Sequence, residues 1–114
     1  MEILSSISPD RFFVTSIQQQ SQLEALSNNF LSSGIDKYQK KDYEGAALEF
    51  KKSINLASTS TFTADATNYL AQTYLKLEDT EEAIEAYKRG IELNPSRDDL
   101  RRDLGNLYLS LIHI

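Results

Sequence analysis

The sequence predicts an all-α protein in which helix-turn-helix repeats stack side by side, with an extra helix at the N-terminus. Two internal matches and one periodicity support this fold class. Residues 42–46 (DYEGA) match residues 79–83 (DTEEA) at an offset of 37, and residues 70–77 (LAQTYLKL) match residues 104–111 (LGNLYLSL) at an offset of 34. Apolar residues recur there at the spacings of three and four that place them on one helix face. Repeat lengths in this range are typical of stacked helical units.

The composition is that of one folded domain. The chain has 114 residues, of which 40% are hydrophobic and 25% are charged, so it can form a single core. A net charge of -5 disfavours nucleic acid as a partner, because binding a phosphate backbone requires neutralising cations. With no cysteine, disulfides, zinc-thiolate sites and thiol nucleophiles are excluded.

The sequence carries no sign of a membrane segment. Residues 1–6 contain an acid where a secretory signal has basic residues, and no apolar run approaches the length of a membrane span. The basic pairs at 40–41 and 51–52 are interleaved with acids, which disfavours binding to a membrane surface. We therefore expect a soluble, cytoplasmic protein with no membrane partner.

Residues 1–26 precede the repeats and predict a helical extension. Ser8-Pro9-Asp10 is typical of a helix start, because proline fits the first helical position and an acid is favoured near the positive end of the helix dipole. We expect a helix that carries Phe12, Phe13 and Ile17, ends in the glutamines at 18–20, and is followed by a capping box at 21–24 (SQLE) that opens the first repeat helix. The extension either caps the apolar edge of the stack or docks on another chain.

The repeat domain, residues 27–114, divides into three units. We place the units at about 27–60 and 64–97, with an incomplete unit at 98–114, and expect the polar stretch 58–61 (STST) to be a loop. Asp42 and Asp79 are positioned to cap the second helices of the first two units. Asn94-Pro95 should end the second unit, since the residue before proline resists helical torsions.

Small residues recur where paired helices are expected to cross. They are Ala46 and Ala83 in the second helices, and Ala71 and Gly105 in the first helices. A small side chain lets two helix backbones approach each other closely. Packing therefore explains these positions without any chemical role.

The pattern of Ala71, Tyr74, Ala83, Tyr87 and Pro95 resembles the tetratricopeptide repeat family, whose unit is 34 residues long. The resemblance covers about residues 27–111 and implies a short right-handed solenoid. The first unit departs from the family pattern with polar residues in usually apolar or small positions and a serine in place of the proline, namely Ser33, Lys37, Ser53 and Ser58.

No set of residues in the sequence suggests catalysis. His113 is the only histidine and has no acidic neighbour in sequence, while the acidic pairs 81–82 and 98–99 open predicted helices, where the dipole favours them. The four glycines are scattered singly and form no phosphate-binding loop. We expect no enzymatic activity, no metal site and no cofactor.

The resemblance implies a protein-interaction module whose concave groove, lined by the first helix of each unit, holds a partner peptide or protein. The residues expected to bind there are Leu31, Ile35, Tyr38, Asn68, Tyr69, Gln72, Lys76, Arg102 and Asn106. Tyr69 is the expected anchor, because buried aromatic residues dominate interface energies. Asp65, Asp99 and Asp103 are expected to make the groove acidic, which favours a ligand with neutral or basic flanks.

The incomplete third unit leaves two alternatives open. Its helix is apolar on nearly every side, so the chain could be a self-associating assembly domain that forms a homo-oligomer through Leu107, Leu111, Ile112 and Ile114. It could instead be an N-terminal regulatory fragment of a larger protein.

Overall fold

The computed structural model describes residues 9–56 and 61–112, and the side chains of residues 18–56 and 63–112. Within these ranges the chain is all-helical, which confirms the predicted fold class. Its helices are α1 (Pro9–Gln39), α2 (Tyr43–Leu56), α3 (Thr61–Lys76), α4 (Thr80–Leu93) and α5 (Asp98–Ile112). α1 packs on α2, α3 on α4, α2 on α3, and α5 on α4, so neighbours in sequence are neighbours in space.

α1 is one continuous helix of 31 residues. Pro9 is the first residue that the structure describes, and the expected end at the glutamines and the expected new start at Ser21 are wrong. Between Asp10 and Ser33 there is no proline or glycine, and glutamine is a good helix former, so nothing in this stretch interrupts the helix. The side chains of Phe12, Phe13 and Ile17 lie outside the described residues.

The turns after α1 and α3 have the same backbone geometry. Lys41 and Glu78, which correspond at the offset of 37, adopt left-handed conformations with φ of 68° and 61°. In each turn the following amide donates a hydrogen bond of 2.8 Å to the carbonyl five residues earlier, as in the Schellman ending of a helix. The repeat is therefore present in the backbone as well as in the side chains.

Asp42 and Asp79 follow these turns and cap the next helices, as predicted. Oδ1 of Asp42 accepts a hydrogen bond of 3.1 Å from the amide of Gly45, and Oδ1 of Asp79 accepts one of 3.3 Å from the amide of Glu82. Both bonds satisfy an amide that has no partner inside the helix. At the other end of α4, Asn94 is the cap residue, which confirms the predicted end before Pro95.

Phe50 lies at the centre of the core. Its side chain is completely buried, and its ring stacks on that of Tyr69 with centroids 5.5 Å apart and an angle of 16°. A Cβ placed on Gly34 would lie 2.5 Å from the ring, so only glycine lets α1 approach α2 this closely. Phe50 thereby joins both helices of the first unit to the first helix of the second.

Three of the four small residues lie at helix crossings as predicted. Ala46, Ala71 and Ala83 are fully buried. The expectation is wrong for Gly105, because a Cβ at that position would have nothing within 4 Å. No helix in the described part of the chain packs on that side of α5.

Two further features complete the fold. Thr61 is the first residue of α3, so its assignment to a loop is wrong, while residues 58–60 lie outside the described residues. Ser27 and Ser53, both fully buried, face each other across α1 and α2 with their hydroxyl oxygens 2.9 Å apart. This hydrogen bond explains how a serine fits a buried position of the first unit.

None of the described helices combines the length and the apolar character needed to cross a bilayer.

Candidate functional site

The predicted groove residues lie on the first helix of each pair, α1, α3 and α5. Along α3, Asp65, Tyr69, Gln72 and Lys76 follow each other at spacings of three and four and so share one face. Thr67, Leu70 and Tyr74 lie on the opposite face of the same helix. We call the face that carries Tyr69 the inner face and the opposite one the outer face.

The apolar residues predicted for the groove include Ile35 and Tyr38 on α1 and Tyr69 on α3, which are half-buried and pack against the core. Leu31, predicted with them, is itself part of the core and only 6% exposed, so it offers a ligand little surface. Tyr38 contacts the ring of Tyr43 edge-on, with centroids 5.3 Å apart. Tyr69 is held by its stack on Phe50. Two aromatic rings are therefore fixed in place while still partly accessible.

The polar part of the inner face is less uniform. The Asn68 side-chain oxygen accepts a hydrogen bond of 3.1 Å from the Gln72 amide group, which orients both side chains on α3. Each retains unused capacity, since an amide side chain carries two donor hydrogens and an acceptor oxygen. Lys76, Arg102 and Asn106 are exposed.

Arg97 connects the starts of α3 and α5, and sequence reasoning missed it. Its guanidinium donates to Asp65 at 2.8 Å and to both carboxylate oxygens of Asp99 at 2.9 and 3.0 Å. These bonds raise the pKa of Arg97, the one to Asp99 most strongly, and the guanidinium lowers the pKa of Asp99. The expectation that Asp65 and Asp99 make the groove acidic is therefore wrong in part, because one cation lies between them.

One signal in the sequence could have revealed this pairing. The offset of 34 places Asp65 and Asp99 at the same position of consecutive first helices, where like charges would repel each other. Arg97 and Arg101 are the nearest cations in sequence to Asp99, each two residues away. Bidentate binding of a carboxylate is the geometry that a guanidinium favours.

Removing Arg97 should return the pKa of Asp99 towards the ordinary value of 3.8. Because the folded pKa is lowered, the pairing stabilises the fold above 3.8, and this stabilisation is lost as the pH falls through the folded value. NMR titration of the carboxyl groups in Arg97→Gln measures the shift. Arg101→Gln is the matched control, since Arg101 pairs with Asp98 instead. An Asp99 pKa that is the same in wild type and Arg97→Gln would contradict the pairing.

Asp103 is the remaining acid predicted for the groove. Its side chain is about one-third exposed, and its carboxylate lies 3.7 Å from the nearest nitrogen of Arg102. Burial raises the pKa of Tyr87, and the charges of Asp103 and Tyr38 raise it further. Side chains from α1, α4 and α5 are thus within electrostatic range of one another beside the inner face.

A second concave feature lies on the outer face, between α2 and α4. It is a cleft of about 280 Å³ whose floor is formed by α3. Cations and acids both line it, namely Lys51, Arg89, Glu82 and Glu85. The Lys51 ammonium lies 5.6 Å from the centre of the Tyr74 ring, and a hydrogen bond with Tyr74 is the main cause of its raised pKa. The mixture of charges gives this cleft no clear preference for a ligand.

The described residues predicted for self-association, which are Leu107, Leu111 and Ile112, differ in their exposure. Leu107 is half-buried and packs against the core, which makes it a poor contact for another chain. Leu111 is partly exposed and Ile112 is 79% exposed. Ile114 and His113 lie outside the described residues.

Among the residues that are described, no group of three or more His, Cys, Asp or Glu side chains could hold a metal ion.

Paired helices joined by repeated turns define a helical repeat protein. A family model described as Tetratricopeptide repeat matches residues 64–97, the same residues as the second unit proposed from the sequence. This match is consistent with a tetratricopeptide repeat protein that has a few repeats. Repeats of this family are non-catalytic modules that generally mediate protein–protein interaction. No curated protein matches the chain.

Proposed function

We propose that this protein is a non-catalytic interaction module that binds a peptide segment of a partner protein along its inner face. The observation that carries the proposal is that Ile35, Tyr38 and Tyr69 each pack against the core yet stay partly exposed. On α3, Asn68 and Gln72 lie next to Tyr69 at spacings of one and three. Rigid aromatic groups next to adaptable hydrogen-bonding groups suit a peptide ligand.

The apolar groups supply most of the expected affinity. Tyr69 is restrained by its stack on Phe50, so a ligand that covers it loses little side-chain entropy. Tyr38 is restrained in a similar way by Tyr43. The partner segment should therefore place apolar side chains against these two rings.

The polar groups orient the segment. Asn68 and Gln72 are already aligned by their mutual hydrogen bond, and Asn106 is exposed on α5. Their remaining donors and acceptors match the N–H and C=O groups of an extended peptide backbone. Each neutral hydrogen bond contributes about 0.5–1.5 kcal/mol net.

The charges near the start of α5 favour a ligand with neutral or basic flanks. Asp65, Arg97 and Asp99 together carry one net negative charge, and Asp103 adds another that Arg102 only partly offsets at 3.7 Å. An acidic peptide would meet repulsion near the start of α5, and a basic flank would meet attraction. This preference is weaker than three unpaired acids would give.

Tyr69→Ala should weaken partner binding by roughly thirtyfold, because truncating a central aromatic residue often costs about 2 kcal/mol or more. Asn106→Ala should weaken binding by roughly twofold to tenfold, through the loss of one hydrogen bond. A partner obtained by affinity capture is titrated calorimetrically against each variant. Circular dichroism first establishes that the variants are folded.

Tyr108→Ala is the matched control, since it removes the same side chain from an exposed position on α5 that is not among the predicted groove residues. Its affinity for the partner should equal that of the wild type. Unchanged affinity in both Tyr69→Ala and Asn106→Ala would end the proposal. So would a loss of binding on substituting Lys51 or Lys88, because Lys51 lines the outer-face cleft and Lys88 lies on α4.

A further inference from the structure

α3 and α5 lie against α4 at the same level and run in the same direction. A Cβ placed on Gly90 of α4 would meet Thr67 of α3 and would lie 2.9 Å from Leu100 of α5. One turn earlier on α4 is Tyr87, whose pKa is raised by burial and, next, by the charge of Asp103 on α5. α5 therefore runs opposite to α4. α3 does so too, because only residues 77–79 join these two packed helices.

An arginine of the chain itself spans the gap between α3 and α5 where the two helices begin. Arg97 donates to Asp65 on α3 at 2.8 Å and to Asp99 on α5 at 2.9 and 3.0 Å. The two carboxylates are therefore separated by the width of one guanidinium group. This contact shows that the gap accepts a planar cation, with a side chain of a first helix on either side of it.

One turn further along, the same two faces carry Tyr69 on α3 and Asp103 on α5. Each lies four residues after an acid that binds Arg97 and so shares a face with it. Both residues are half-buried. Four residues advance a helix by about 6 Å, so this pair borders the next part of the same gap. Here one helix offers a carboxylate and the other an aromatic ring.

The Asp103 carboxylate is less well paired than the other two. The nearest nitrogen of Arg102 is 3.7 Å away, beyond the roughly 2.7–2.9 Å of a charge-assisted hydrogen bond. Neighbours in sequence do not face each other on a helix, and Arg102 is 69% exposed. Asp65 and Asp99, by contrast, have nitrogens of Arg97 at 2.8 and 2.9 Å. Asp103 is therefore the carboxylate of this gap that is best able to accept a ligand cation.

We propose that the gap between Tyr69 and Asp103 binds an arginine side chain of the partner segment. This inference rests on the proposed function and specifies one residue of the ligand. The partner's guanidinium would donate to both oxygens of the Asp103 carboxylate and would lie against the accessible part of the Tyr69 ring. It would repeat, one turn further along, the contact that Arg97 makes with Asp99 within the chain.

Arginine suits this gap better than lysine. A guanidinium is planar, binds a carboxylate through two parallel hydrogen bonds and stacks on aromatic rings, whereas a lysine ammonium is a strongly hydrated point charge. The aliphatic stem of arginine is apolar, so it also supplies the apolar contact expected at Tyr69. An acidic side chain would be repelled by Asp103.

The capped tripeptide Ala-Arg-Ala is the probe, because it isolates one side chain from the rest of a ligand. In an NMR titration of the isotope-labelled protein, it should shift the amide signals around Tyr69 and Asp103. Asp103→Asn should weaken this binding by about tenfold or more, through the loss of hydrogen bonds between charged groups. Asp98→Asn is the matched control and should leave binding unchanged, because Asp98 lies on the same helix with its side chain 96% exposed.

Two more capped tripeptides, with lysine or glutamine in place of arginine, test the chemistry of the site. The lysine peptide should bind more weakly than the arginine peptide, and the glutamine peptide should cause no shifts. Equal affinities for arginine and lysine would overturn the assignment to a guanidinium. Equal effects of Asp103→Asn and Asp98→Asn would overturn the site. So would shifts centred on Glu82 and Glu85, which line the outer-face cleft.

The captured partner separates this inference from the proposed function. A partner whose affinity falls in Tyr69→Ala and Asn106→Ala but not in Asp103→Asn would overturn the arginine site and leave the proposed function standing. Should the tripeptide require Asp103 while partner affinity is unchanged in Tyr69→Ala and Asn106→Ala, the proposed function fails and the arginine site stands. Replacing the bound arginine of the partner by glutamine should weaken binding to the wild type about tenfold, but should add little to Asp103→Asn.

Discussion

Phe50→Ala is expected to lower the free energy of unfolding by about 3–5 kcal/mol, the usual loss when a buried phenylalanine is truncated. The ring is completely buried, stacks on Tyr69 and fills the space left by Gly34. Its removal leaves a cavity bordered by α1, α2 and α3, and these helices cannot all close in on it. Urea unfolding followed by circular dichroism measures the change.

Leu48→Ala is the control for Phe50→Ala, because Leu48 lies two residues earlier on α2 and is exposed. Its effect should stay within about 0.5 kcal/mol. Gly34→Ala is expected to destabilise as well, since the added Cβ would meet the Phe50 ring, and overpacking typically costs about 1–3 kcal/mol. Equal stabilities for Phe50→Ala and Leu48→Ala would show that Phe50 does not hold the first unit to the second.

Leu100→Ala should have the second-largest effect, about 2–5 kcal/mol, and should act mainly on α5. Leu100 is the only residue of α5 among the buried core residues described, and it is completely buried. In a stack where each unit contacts only its neighbours, losing a terminal contact releases the terminal helix first. Hydrogen exchange should therefore show loss of protection in α5 while α1 to α3 keep theirs.

Leu109→Ala is the matched control for Leu100→Ala, since it truncates the same side chain on the exposed side of the same helix. It should leave hydrogen exchange in α5 nearly unchanged, because Leu109 is exposed. If Leu100→Ala instead unfolds every helix together, α5 is part of one cooperative unit and the expectation is wrong.

The local features of the fold could be predicted from the sequence, because their causes are local. The helical spacing, the Asp42 and Asp79 caps and the stop before Pro95 each depend on a few neighbouring residues. The continuity of α1 was not predicted, because the local pattern at Ser21 was given more weight than the helix-forming glutamines before it. A capping-box pattern at Ser21 has meaning only if the preceding residues leave the helix, and glutamines do not.

The candidate site was harder to predict, because it depends on how each helix is rotated and on contacts between units. Leu31 and Ile35 lie one turn apart on α1, yet Leu31 is part of the core while Ile35 is partly exposed. Arg97 and Asp65 are 32 residues apart, and only the repeat offset brings them together. The apolar periodicity of a single helix specifies neither how that helix is rotated in the stack nor which residues of other units it contacts.

The two connections between units respond differently to dissolved salt. Between the first and second units Phe50 stacks on Tyr69, and this stack carries no charge. Between α3 and α5 the Arg97 pairs contribute, and the Asp65 and Asp99 side chains are more than one-third exposed. Mobile ions screen exposed charges over roughly 8 Å at physiological ionic strength. The Arg97 ion pairs should therefore weaken as the ionic strength rises, while the stack of Phe50 on Tyr69 should not respond to it.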